Sequence, residues 1–173
     1  MQDLSLGLWC PWASGPLSRP VPGPLSLGLC VSLGLCALLS LAPEDSLEFV
    51  ARFLDAGDPA LAELAALALG ESRLDGAFEL LRERWEAEPL KRPAHRVWLR
   101  AAVLARSDAA FDWLLALIAE ADPATAAFLV EALAVYAGNQ RLSEQVAVRI
   151  DTRDEPALRD QYRRHWRRRG GAG

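Results

Sequence analysis

Two histidines, three cysteines and 23 carboxylate side chains are the groups in this 173-residue chain that could hold a metal, attack an electrophile or move a proton. Metal sites need several His, Cys or carboxylate ligands at close spacing. His95 and His165 lie 70 residues apart, and neither has a carboxylate or a cysteine three or four positions on. His95 is expected as a half-exposed residue opening a helix. Cys30 and Cys36 sit six apart in an apolar run and Cys10 precedes a proline, which reads as buried, inert thiol. The glycines at 28 and 34 lack the helix-opening context and the lysine of a phosphate-binding loop. These residues nominate no catalytic centre, no metal and no cofactor. Whether the chain is an enzyme stays open, with the balance towards a non-catalytic role.

The carboxylates are unevenly placed. Residues 1–43 carry only Asp3 and Arg19, residues 44–156 carry 21 acidic and 12 basic side chains, and residues 157–173 carry six arginines and one aspartate. The formal net charge of −4 thus averages an acidic body and a basic end. Phosphate binding needs clustered Lys and Arg, so an acidic body argues against nucleic acid as the partner. Three cysteines, all within the first 36 residues, exclude a disulfide scaffold.

The elements that must carry these groups are helices. Leu and Ala supply 61 of the 173 residues while Ile and Thr supply 4, which favours helix and leaves little material for a sheet. Residues 1–24 hold five prolines and are expected to be irregular. Residues 25–42 are uncharged, and three readings stay open: the leading helix of the array that follows, a signal or membrane anchor, or a start site assigned too far upstream. Only Arg19 precedes the run as a basic residue, and Gly and Ser dilute it, so membrane association is not favoured and a cytoplasmic location is expected.

Residues 43–156 repeat. Pro59, Pro93 and Pro123 fall 34 and 30 apart, the first and third each after an aspartate. Asp as N-cap followed by Pro at the first helical position marks a helix start. Five residues beyond each proline stand Leu64, Trp98 and Phe128, and nine beyond stand Ala68, Ala102 and Ala132, a large and a small residue on one helical face. A second helix per unit is anchored by Leu47, Phe78, Phe111 and Leu142, which are 31, 33 and 31 apart. Trp85 and Trp98 occupy anchor positions and are expected in the core. A capping helix is expected from about Glu155 to Arg168, with Tyr162 and Trp166 facing the preceding unit and a flexible end after it. Around that pair lies a basic tail of Arg163, Arg164, Arg167, Arg168 and Arg169. The expected fold class is all-α, an α-solenoid of about three to four stacked antiparallel helical hairpins.

Over residues 31–153 the chain resembles the HEAT-repeat family in its short bacterial form. The resemblance rests on the two-helix unit of 30–35 residues, the Asp-Pro steps at 58–59 and 122–123, and Ala- and Leu-rich first helices such as 60–71. Glu63 and Ala127 stand where such repeats often carry an arginine. Tetratricopeptide spacing fits less well, because Tyr136 in the tyrosine slot puts Gln145 where a small residue belongs. The resemblance implies a HEAT-like superhelix whose second helices line a concave face that binds a protein.

On those second helices the shared spacing places Glu48, Asp55, Glu79, Glu83, Glu86 and Asp112 along one stripe, with Arg52 and Arg82 as its main basic interruptions. A charged solvent face explains such a stripe as well as a binding surface does. Trp113 follows its anchor by two and is either a contact with the adjoining unit or an exposed hot spot. The expected function is a non-catalytic scaffold or adaptor whose protein partner offers a basic surface. Two alternatives stand beside it: a HEAT-like enzyme or enzyme subunit resembling the bilin lyases in repeat type, and a membrane-anchored binding module. The oligomeric state is not legible.

Overall fold

The computed structural model describes residues 24–90 and 93–166. Among these residues there are helices and no strand. They are α1 (Pro24–Leu41), α2 (Pro43–Ala51), α3 (Pro59–Ser72), α4 (Asp75–Ala87), α5 (Arg96–Ala105), α6 (Asp108–Glu120), α7 (Pro123–Leu133), α8 (Gln140–Arg153) and α9 (Pro156–His165). The protein is all-α over this span. The irregular segment expected at 1–24 lies outside the described residues except for Pro24, which opens α1.

The starts of α3, α6, α7 and α8 follow from side chains that satisfy first-turn N–H groups. Asp58 accepts from the Ala60 N–H at 2.9 Å, and Asp122 accepts from Ala124 and Thr125, each at 3.0 Å. Ser107 and Asn139 do the same three residues on, from Ala110 and Leu142, at 3.2 Å. Pro93 departs from the repeat. The sequence puts an arginine rather than an aspartate before it, and it opens a 3-10 turn over Pro93–His95, so α5 starts only at Arg96.

The Asp122 cap gives a pH-dependent prediction. Bonding to the Thr125 side chain, opposed by partial desolvation and helped by the Thr125 and Ala124 N–H groups and the Arg96 charge, holds its carboxyl below the ordinary aspartate value. A depressed folded-state value means stabilisation that is present above the unfolded value, about 3.9, and lost as pH falls through the folded one. Asp122→Ala is expected to lower stability by about 1 kcal/mol at pH 7. Thermal unfolding of both proteins at pH 7 and pH 3 should show the gap narrowing in acid; an equal gap at both would mean the carboxylate charge contributes nothing.

Three helix ends share a left-handed turn that no glycine announces, the third at Asp154 after α8, at φ 54°. Arg73 closes α3 and Arg106 closes α5 in the left-handed region, at φ 54° and 55°, 33 residues apart. The next helix begins two residues later in both cases. Arg106 is held there by its Nε donating to the Tyr136 hydroxyl at 3.1 Å, which in turn donates to the Val103 carbonyl at 2.9 Å.

Contacts between helices fall into two series. The odd-numbered helices pack in succession, α1 on α3, α3 on α5, α5 on α7 and α7 on α9, while α2 packs on α4 and α6 on α8. The α4 and α6 helices meet through Phe78 and Trp113, edge to face at 5.7 Å. Between the series lies the apolar core, with Leu69, Leu99, Leu129 and Leu133 from the odd helices and Leu81, Leu114, Ile118 and Ile150 from the even ones. Trp85 and Trp98 are buried in it, as expected. Leu35 and Leu39 bring α1 into the same core. Among the described residues no helix is long and apolar enough to cross a membrane.

At the other end α9 lies on α7. Trp166, just past the helix, is buried and its indole N–H donates to the Val130 carbonyl at 2.8 Å. Tyr162 stacks on it at 5.5 Å and shares a hydroxyl hydrogen bond with Ser143 at 2.9 Å. Arg153 fastens the preceding connection. Its guanidinium donates to the Ile118 and Ala121 carbonyls at 2.9 and 2.6 Å, closing the end of α6, and pairs with Glu155 at 2.6 Å.

Candidate functional site

The first residues of α4, α6 and α8 recur at similar spacing along the chain, and α4 and α6 also start from the same turn after Arg73 and Arg106. Two clefts result. The first, about 150 Å³, lies between the starts of α4 and α6 and is lined by Phe78, Glu79, Arg73 and Ser107 among others. The second, about 280 Å³, lies between the starts of α6 and α8 and is lined by Phe111, Asp112, Asn139 and Arg141 among others. Phe78–Glu79 and Phe111–Asp112 are the same pair, an apolar anchor followed by an acid, 33 residues apart. In each pair the aromatic residue is more buried than the acid: Phe78 is buried beside a half-buried Glu79, and Phe111 is half-buried beside an exposed Asp112.

The carboxylates of the expected stripe divide by their partners. Arg82 pairs with Glu79 at 2.6 Å and approaches Glu86 at 3.8 Å along α4. Arg84 crosses to Asp55 at 2.9 Å. Glu48, Glu83 and Asp112 are exposed and form no ion pair among the described residues. The stripe is therefore less negative than its sequence suggests, and Arg84 is the neutralising residue that helical spacing did not single out. Exposed pairs of this kind contribute little to stability, so their main effect is on surface potential. Trp113 is half-buried against the Phe78 ring, the contact with the adjoining unit that the sequence left as one of two readings.

Arg163 and Arg164 are exposed on α9, with Arg163 near Asp160 at 3.3 Å. Arg167, Arg168 and Arg169 lie outside the described residues. Cys30 corrects the sequence reading, since it is exposed on α1 rather than buried. Cys36 is half-buried, and burial together with the Glu71 charge raises its thiol above the ordinary value. That disfavours the thiolate a nucleophile needs. Among the described residues no group of three or more His, Cys, Asp or Glu side chains is placed to hold a metal ion.

A third concavity was not foreseen. About 540 Å³ in volume, it lies against the starts of α3 and α5 and the Phe128 ring of α7, and none of the stripe residues lines it. His95, Arg96, Trp98, Arg100 and Glu63 are among its walls. His95 is the half-exposed residue expected, but it lies flat on Trp98 with ring centroids 4.7 Å apart. Among the described residues the walls include no Ser, Thr, Cys or Lys, and what they offer is charge and stacking.

No family model, curated protein or solved structure matches the chain.

Proposed function

We propose that the chain is a HEAT-like solenoid of helical hairpins acting as a non-catalytic scaffold, and that its even-numbered helices bind a protein partner with a basic, extended surface. The observation that carries this is the recurrence of the aromatic–acid pair, Phe78–Glu79 and Phe111–Asp112, at the mouths of successive clefts. A repeated site favours a partner that runs along the repeat, because each unit offers it the same contact in turn. Each cleft alone is too small to enclose a drug-sized ligand, whereas side chains of an extended segment fit one by one. The carboxylates of Glu48, Glu83 and Asp112, which form no ion pair among the described residues, favour a basic segment.

The test is charge reversal at Glu79→Lys, Glu83→Lys and Asp112→Lys together. All three side chains lie at the surface, so the triple variant is expected to fold with an unchanged circular dichroism spectrum. Proteins co-purifying with the tagged wild type are expected to be lost with the variant and to be released from the wild type by salt. An identical set of captured proteins with both would reduce the stripe to a solvated surface.

A further inference from the structure

The cavity against the starts of α3 and α5 lies apart from the even-helix clefts, and its chemistry is different. Its volume of about 540 Å³ lies in the range of small-molecule sites. Arg96 and Arg100 stand one turn apart on α5, with their guanidinium carbons 5.6 and 5.9 Å from the centre of the Phe128 ring. Both guanidinium groups thus lie within cation–π range of the same ring. Neither arginine forms an ion pair among the described residues. The Arg96 charge acts on the Asp122 carboxylate, which is already engaged by two N–H donors of its own helix.

Three further features define a ligand. First, α5 begins without a side-chain cap, so its positive helix end adds to the arginine charge, whereas the start of α3 on the same cavity is already capped by Asp58. Second, the flat His95–Trp98 stack and Val97 supply an apolar wall, and the buried His95 Nδ1 has no hydrogen-bond partner among the described residues. Third, Glu63 is the one carboxylate among the described wall residues, so it offsets one of the two arginine charges and leaves one. A single carboxylate balances that charge, whereas a polyphosphate would overload it and meet Glu63. We infer that this cavity binds a monocarboxylate with a flat apolar body, its carboxylate between Arg96 and Arg100 and its body against Trp98. The same chemistry is offered by a free aromatic acid and by the C-terminal carboxylate of a peptide ending in an aromatic residue.

Titration calorimetry on the full chain tests this with phenylacetate, its neutral amide, inorganic phosphate, and a tetrapeptide ending in Phe as free acid or amide. At least one free acid is expected to bind at least tenfold more tightly than its amide and than phosphate. Tighter binding by the tetrapeptide assigns the site to peptide ends, and tighter binding by phenylacetate to small acids. Arg96→Gln with Arg100→Gln is expected to weaken that binding at least tenfold, and Glu63→Gln to strengthen it severalfold. Equal binding of acid and amide, no binding of either acid at millimolar concentration, or binding indifferent to the arginines overturns the inference. The acid-against-amide comparison uses wild-type protein, so the result does not depend on the variants folding.

Discussion

Gly70→Ala is expected to destabilise the protein by about 2 kcal/mol, although alanine is the better helix former by about 1 kcal/mol. Gly70 is buried in the last turn of α3, where it faces α5. A Cβ there would stand on the carbonyl oxygen of Ala101 and lie 2.8 and 2.9 Å from its carbonyl carbon and Cα. These are main-chain atoms, so relief requires moving one helix away from the other. The large apolar residues on both sides, Leu69 and Leu99 among them, would then lose contact together. Gly70→Val should cost more again, because a β-branched side chain adds volume at the same point. Thermal unfolding measures this directly, with a fall of about 8 °C expected for the alanine variant. A midpoint equal to or above that of the wild type would mean that α3 and α5 do not approach so closely.

Trp166→Ala is expected to have the larger effect, about 3–5 kcal/mol for the region it anchors. The indole is buried, stacked on Tyr162, and bonded to the Val130 carbonyl of α7. Its removal leaves a cavity under α9 and an unsatisfied carbonyl in α7. Leu158 remains as the other buried side chain of α9, too little by itself to hold a ten-residue helix in place. Hydrogen exchange is the appropriate readout, since α9 can come away before the rest unfolds. Amide protection should be lost across 156–165 first. Trp166→Phe keeps most of the apolar contact and should cost about 1 kcal/mol, the share of the hydrogen bond. Unchanged protection of α9 in the alanine variant would show that the helix is held by other contacts.

The sequence was most legible where a single helix determines the outcome. Asp58-Pro59 and Asp122-Pro123 start helices because cap and proline act within one turn. Leu142, Val146 and Ile150 face inward because their spacing follows the helical period. Pro93 misled the count, since proline without a capping residue before it is equally at home in a 3-10 turn. Arg73 and Arg106 were illegible as turn residues, because the left-handed conformation they adopt is ordinarily left to glycine or asparagine.

The candidate sites divide along the same line. Glu79 and Asp112 could be named from spacing, because an acid one position after an apolar anchor lies at the edge of the buried face. That Arg84 reaches Asp55 depends on how α4 sits beside the 3-10 turn after α2, and no local pattern carries that. The cavity at Arg96 and Arg100 needs Phe128, about 30 residues away on α7, to bring the two guanidinium groups over one ring. By itself, then, the sequence determined that the chain is helical, where most helices begin, and which side of each is apolar. The tertiary structure alone decided which charges are neutralised, where two backbones touch at Gly70, and where arginine, aromatic ring and helix end converge. Helical periodicity fixes the direction of a side chain from its own axis, whereas a meeting of side chains depends on the distance and angle between two axes, which only packing sets.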